Sequence, residues 1–360
     1  MSKHMPRASG YFRTGYDQDF ALVETRLERT SLAILIAALV LFPFIASPFQ
    51  LDLACQVFLA AIGSLSLMLL TGYAGQISLG HAGLLAAGAF TTGILFKEVG
   101  APFWITIPAS ALVGALLGIV FGLPSLRLRG LYLAVSTLAL HFVVVYVGGE
   151  YEAKRGYSTG IVIDPPGIGG FALTSGRAWY FVLLAGAAAT LLICLNLLRS
   201  RTGRAWRAVR GHETVAEALG IDIARYKLLA FVISSAITSV AGALFAYYRG
   251  FVSVEAFSLF LSIQYVAMII IGGMGSLLGA LLGAVFVTLF PYLIEAALLA
   301  LPRAQQYAGV LFAVNYAAFG IVMIAFLLFE PSGLVGIWRR VQSYFLLWPF
   351  RYRPVAGPRR

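Results

Sequence analysis

The sequence predicts an all-α integral membrane protein of about ten transmembrane helices, with both termini on the cytoplasmic side. Three observations predict it. Of the 360 residues, 60% are hydrophobic and 11% are charged, whereas a soluble domain carries about 25% charged residues. Runs free of Asp, Glu, Lys and Arg recur along the chain, each at or beyond the roughly 20 residues a helical span needs. The basic residues are confined to short stretches between those runs. That distribution also excludes nucleic-acid binding as the reason for the net charge of +11, because no basic face or stripe is built.

The expected spans follow from the uncharged runs. Ser31 to Phe49 makes the first, with Pro43 and Pro48 positioned to kink or end it. Leu53 to Phe96 is too long for one span and divides at Thr71-Gly-Tyr-Ala-Gly75, where glycines interrupt the helix. Ala101 to Leu126, Leu131 to Gly149, Ala178 to Leu198 and Leu228 to Tyr248 supply four more. Ala256 to Ile294 again needs two, divided at Gly272-Gly-Met-Gly275, and Ala304 to Phe329 is the last. The chain then divides into an N-terminal segment (1–30), a transmembrane domain (31–329) and a basic tail (330–360). An irregular outer loop spans 150–177. An inner loop spans 199–227, with a helix-like stretch from Ala205 to Leu219 stopped by Gly220.

Charge gives the orientation, because Lys and Arg concentrate in cytoplasmic loops. With the N-terminus inside, strict alternation puts 20 of the 26 Lys and Arg on the inner side. Seven of these lie in the inner loop, among them Arg207, Arg210 and Lys227. Removing one central span would reverse the parity and scatter the charges. The first 30 residues are polar, so no cleavable signal is expected.

A weak internal repeat is visible. Gly72-Tyr-Ala-Gly75 and Gly272-Gly-Met-Gly275 each interrupt a long apolar run, and each is followed by further glycines, Gly80 and Gly83 or Gly279 and Gly283. Paired interrupted segments point to a transport site between two halves, while simple turns and glycine-mediated packing explain them equally well.

Catalytic and cofactor motifs are missing. The sequence contains no G-x-x-x-x-G-K-[ST], no H-E-x-x-H and no Cys/His metal spacing. Cys55 and Cys194 sit in apolar runs and read as buried thiols. His81 could line a polar path or simply bond a neighbouring helix, and His141 reads as the latter. No chain of embedded carboxylates marks a proton relay. A stand-alone secondary carrier driven by an ion gradient remains the alternative, since sodium coordinated by backbone needs no such mark. The inner-loop segment Thr214 to Gly220 could dock into a groove on a soluble partner.

Several stretches together resemble the LivM-type permeases of the branched-chain amino-acid ABC importers. The main one is Gly72-Tyr-Ala-Gly-Gln-Ile-Ser-Leu-Gly-His-Ala-Gly83. Others are Gly122 to Ala134, Thr202 to Arg210, Glu217 to Ile221, Arg225 to Phe231, Gly272 to Gly279 and Glu330 to Leu334. The resemblance covers roughly Leu51 to Arg340. Tyr157-Ser-Thr-Gly-Ile-Val-Ile163 departs from the family's Thr-Gly-Gly-x-x-Gly-Ile by one glycine, and relatives handle urea, short amides or aromatic acids. The solute is therefore left open.

The resemblance implies an ABC importer permease fold in a bacterial inner membrane. This chain would form half of a pore, and a second related permease the other half. Two cytoplasmic ATPase subunits would hold ATP and Mg, with no cofactor on this chain, and a periplasmic binding protein would deliver the solute. Glu217, Ala218 and Gly220 are then expected at the ATPase contact. Gly72, Gly75, Gln76, Ser78, Gly80, His81, Gly272, Gly273 and Gly275 are expected along the pathway or at tight helix crossings.

Overall fold

A computed structural model describes residues 26–126, 130–157, 160–168, 171–299 and 311–347. The expected N-terminal segment up to residue 25, Arg127, Arg129, Arg303 and the last part of the tail lie outside them. The described chain is helical almost throughout. The helices are α1 (Arg26–Ile45), α2 (Pro48–Leu67), α3 (His81–Ile94), α4 (Phe103–Ser125), α5 (Leu131–Arg155), α6 (Gly176–Arg199), α7 (Arg201–Gly211), α8 (Glu213–Ala218), α9 (Ile223–Arg249), α10 (Leu259–Gly272), α11 (Leu277–Leu299), α12 (Leu311–Phe329) and α13 (Gly333–Leu347). A π-helical turn, Met68–Tyr73, ends α2, and another, Leu95–Val99, ends α3.

Seven helices are long and apolar enough to cross a membrane, or eight if α12 and α13, bent by 53° at their junction, count as one. The apolar part of α1 (Arg29–Ile45) and α10 are shorter. At 14 residues, α10 reaches only about 21 Å, less than the roughly 30 Å hydrocarbon core. The ten expected spans thus become full spans, a bent pair and two short apolar helices.

Two boundaries differ from the sequence reading. Pro48 does not end the first span at Phe49. It opens α2, with Ser47 as N-cap and Gln50 closing a capping box. The outer loop is not irregular from Glu150, because α5 continues to Arg155. An ion pair from Lys154 to Glu150 (3.1 Å) supports the added turn, as does one from Arg155 to Glu98 (2.9 Å), and Gly156 caps it in the left-handed region. The start of the basic tail is helical (Gly333–Leu347). Here α13 folds back against the end of α10, so that a Cβ on Gly333 would stand 2.5 Å from the backbone nitrogen of Gly273.

Helix α2 is the centre of the bundle, 78% buried along its span, against 28% for α4 and α6. Lipid gives helices no hydrophobic reason to associate, so packing depends on small residues and interhelical hydrogen bonds. Both are present. A Cβ on Gly88 of α3 would collide with the carbonyl of Ser239 in α9, and one on Gly242 with that of Leu85. Ser66 Oγ pairs with Thr238 Oγ1 (2.7 Å), Ser234 Oγ donates to Ser66 O (2.9 Å), and Thr106 Oγ1 pairs with Tyr247 Oη (2.8 Å). Gly88→Leu is therefore expected to prevent assembly of α3 on α9. Detergent extracts should show aggregated or degraded chain, and a normal gel-filtration peak would count against this packing.

Two short antiparallel ladders complete the fold. The segment β1 (Ile161–Val162) pairs with β4 (Phe251–Val252), and β2 (Gly167–Ile168) pairs with β3 (Phe171–Ala172). The first joins the outer loop to the end of α9, two segments that the charge-derived parity puts on one face.

Candidate coupling and translocation site

The break after α2 is a re-entrant fold. Residues 74–80 are non-helical, and Gly75 holds φ +73°. The chain does not simply turn here. His81, the first residue of α3, is fully buried, and its Nε2 lies 2.9 Å from the carbonyl of Gly63. Gly63 stands about 15 Å up α2 from Tyr73, by helical rise. The chain therefore descends to Tyr73 and climbs back before α3 starts. The His81 ring also packs on Tyr265 of α10, with centroids 4.8 Å apart, and Ser262 Oγ accepts the Ala82 N–H (2.9 Å). His81 thus bonds a neighbouring helix as a packed residue would, yet its Nδ1 has no hydrogen-bond partner.

The other expected residues of this segment serve the same fold. Gln76 is buried, and its Nε2 donates to the carbonyl of Lys227 (2.9 Å), while its own carbonyl accepts from Thr71 Oγ1 (2.9 Å). That ties the break to the base of α9. Ser78 is buried, and Thr137 Oγ1 of α5 accepts the Leu79 N–H (2.9 Å). Cβ atoms on Gly80 and Gly83 would run into the α5 backbone at Thr137 and His141.

The second break, 273–276, joins α10 to α11. Gly273 and Gly275 have φ of +113° and +88°. A Cβ on Gly272 would collide with the carbonyl of Gly279, so the two helices cross backbone to backbone.

The two breaks meet, and the inner loop joins them. Arg210, in the last turn of α7, donates from Nη1 to the carbonyl of Gly72. The same nitrogen lies 2.8 Å from where a Gly275 Cβ would stand, and the Arg210 Cγ lies 3.3 Å from that of Gly75. A Gly72 Cβ would approach the Gly275 nitrogen to 3.2 Å. One side chain of the loop therefore touches both interrupted segments. Sequence reasoning named the breaks but not Arg210, which reads in the sequence as one of seven topology-setting cations.

The loop itself is firmly seated. Trp206 is buried and donates from Nε1 to the carbonyl of Tyr226 (2.9 Å). Lys227 pairs with Glu213 at 2.6 Å, largely shielded from solvent. The expected single stretch from Ala205 to Leu219 is two helices, because His212 takes an extended backbone (φ −150°, ψ 110°) between α7 and α8. Ala216 of α8 packs inward. Glu217, Ala218 and Gly220 are exposed at the tip, with Val215 and Leu219 56% and 74% exposed beside them. An apolar pair flanking an acid on a buttressed helix is chemically suited to a groove on another protein. Among the described residues no group of His, Cys, Asp and Glu could hold a metal ion, and both cysteines are buried and free.

The described chain is a largely helical, multi-pass membrane protein whose two glycine-rich breaks meet at Arg210. The sequence profile described as "Branched-chain amino acid transport system / permease component" matches residues 49–328, and the chain belongs to that family. It is similar to the high-affinity branched-chain amino acid transport system permease protein LivM of Salmonella typhimurium (31% identical; 86% of this chain, 75% of the relative). Its likeness to the LivM of Escherichia coli K12 is nearly the same (30%; 89% and 77%). It is also similar to the autoinducer 2 import system permease protein LsrC of an Enterobacter species (27%; 74% and 79%). No solved structure matches it. The family makes the chain a permease subunit of an ABC importer and sets aside the ion-driven carrier.

Proposed function

We propose that this chain forms one half of a solute pore in a bacterial inner membrane and imports branched-chain amino acids or a similar small polar solute. Its ten apolar segments cross or enter the bilayer with both termini in the cytoplasm. A second related permease completes the pore, a periplasmic binding protein delivers the solute, and two ATPase subunits in the cytoplasm hold ATP and Mg. The two LivM relatives favour an amino-acid solute, and the more distant autoinducer 2 permease marks how far solutes vary within the family.

The observation that carries the reading is the path from the exposed tip of α8 to Arg210 and on to the carbonyl of Gly72. ATP binding draws the ATPases together and moves α8. Arg210 passes that movement to both breaks, so the pore alternates between inward-open and outward-open states. The driving energy is the difference in ligand affinity between the two states. Glycines at the breaks let backbones slide where larger residues would lock them.

Glu217→Arg reverses the charge at the tip without touching the packed residues of the loop. Solute-stimulated ATP hydrolysis and uptake should both fall about tenfold, the scale of a coupling free energy, while the chain stays in the membrane at normal level. Unchanged stimulation in reconstituted vesicles would remove Glu217 from the contact. The assembly is tested by pull-down of the tagged chain from native membranes in mild detergent, followed by mass spectrometry. Two ATPases and a second permease should accompany it, and a chain recovered alone would refute the assembly.

A further inference from the structure

Between α2, α3, α9, α10 and α11 lies a cavity of about 250 Å³. It is close to the lower end of small-molecule pockets, about 300 Å³, and so fits a single amino-acid-sized solute rather than a chain of units. One side of its lining is apolar, including Leu59, Leu85, Met268 and Val287. At the other side stand Arg249, Gln264 and Tyr292. Arg249 ends α9 and Ala241 lines the same cavity, so the space extends about 12 Å inward from the helix end. Tyr265, packed on His81, also lines it, which places the cavity beside the start of re-entrant α3.

Tyr292 Oη is occupied, donating to Gln56 Oε1 (3.2 Å), whereas Arg249 and Gln264 are poised. Arg249 stacks over Phe245 (5.9 Å) and Tyr248 (5.8 Å) but has no acidic partner among the described residues. The nearby carboxylate of Asp52 is already held, by Tyr248 Oη and by Gln56 Nε2 (2.6 Å). The Gln264 amide has no hydrogen-bond partner among the described residues and offers both a donor and an acceptor. Tyr265 is 6% exposed, and its hydroxyl has no hydrogen-bond partner among the described residues.

We propose that this cavity is a solute-binding pocket within the permease itself, taking a small molecule with one carboxylate and an apolar body. The Arg249 guanidinium receives the carboxylate, in the fork geometry that suits it. Gln264 meets the adjoining polar group, and the Leu59–Met268 wall takes the apolar part. The assignment rests on the import reading above. It adds that selection occurs in this chain as well as in the binding protein.

The test uses the complete importer, purified with its partner subunits. Uptake of tritiated leucine into proteoliposomes tests the import reading, and equilibrium binding of the same probe, with the binding protein left out, tests the pocket. Arg249→Gln should weaken probe binding about tenfold or more, the loss of a charge-assisted hydrogen-bond pair, and Arg249→Lys should recover part of it. Leu59→Trp, which fills the cavity, should weaken binding with Arg249 intact. Gel filtration with unchanged subunit ratio verifies the fold of each variant. Wild type that imports leucine, with Arg249→Gln binding and importing it unchanged, overturns the pocket and leaves the import reading standing. Wild type that neither imports nor binds leucine overturns the amino-acid solute and with it the pocket assigned here, while the permease class stands.

Discussion

Exchanging Arg210 for methionine is expected to lower uptake about tenfold or more, on the scale of a coupling free energy, while the assembled importer still hydrolyses ATP. Arg210 is the described side chain that reaches from the inner loop to both breaks. It donates to the Gly72 carbonyl and lies against Gly275. Methionine keeps the aliphatic stem beside Gly75 but loses the guanidinium. The Gly72 carbonyl is left without that donor, and the loop can move without moving the break. Hydrolysis and transport should therefore separate in the variant. A lysine keeps the charge but not the fork, so Arg210→Lys should lie between the two. The measurement is the ratio of solute imported to ATP consumed in proteoliposomes. A ratio equal to that of wild type would remove Arg210 from the coupling path.

Gly75→Leu is expected to abolish import. Two effects act together at this position. Its φ of +73° costs a residue with a side chain roughly 1–2 kcal/mol. Its Cβ would also press on Arg210, 3.3 Å from Cγ, and the rest of the leucine has to displace that side chain. Gly75→Ala carries the backbone cost with far less displacement and should retain partial transport. Growth on the imported solute, with membrane levels of the chain measured in parallel, separates the two. Normal import by Gly75→Leu would show that neither the turn nor its contact with Arg210 matters to the transport cycle.

Much of this arrangement was legible in the sequence, for physical reasons that can be named. Uncharged length locates the helices because lipid excludes charge. Glycine clusters locate both breaks because residues at positive φ or in backbone contact, such as Gly75 and Gly272, tolerate no side chain. The start of α2 was also written there, as Ser47-Pro48 followed by Gln50, but the apolar run hid it. The last turns of α5 were missed because they are polar. Their support comes from Glu98, far away in sequence. Arg210 was missed for the same reason. Its role depends on two segments 200 residues apart in numbering, Gly75 and Gly275, being brought to one point. Local pattern cannot show that meeting, nor the pocket that five helices line.

The central claim is that α8 contacts an ATPase on the cytoplasmic side. Its most direct test is a single cysteine at Leu219, which is 74% exposed. The native Cys55 and Cys194 are both buried, so a benzophenone maleimide will report the introduced site. In the assembled importer, Leu219→Cys should photo-crosslink to the ATPase subunit and resist a membrane-impermeant thiol reagent added to intact cells. Labelling from outside, or irradiation of the ATPase-bound complex that yields no ATPase adduct, would contradict the account.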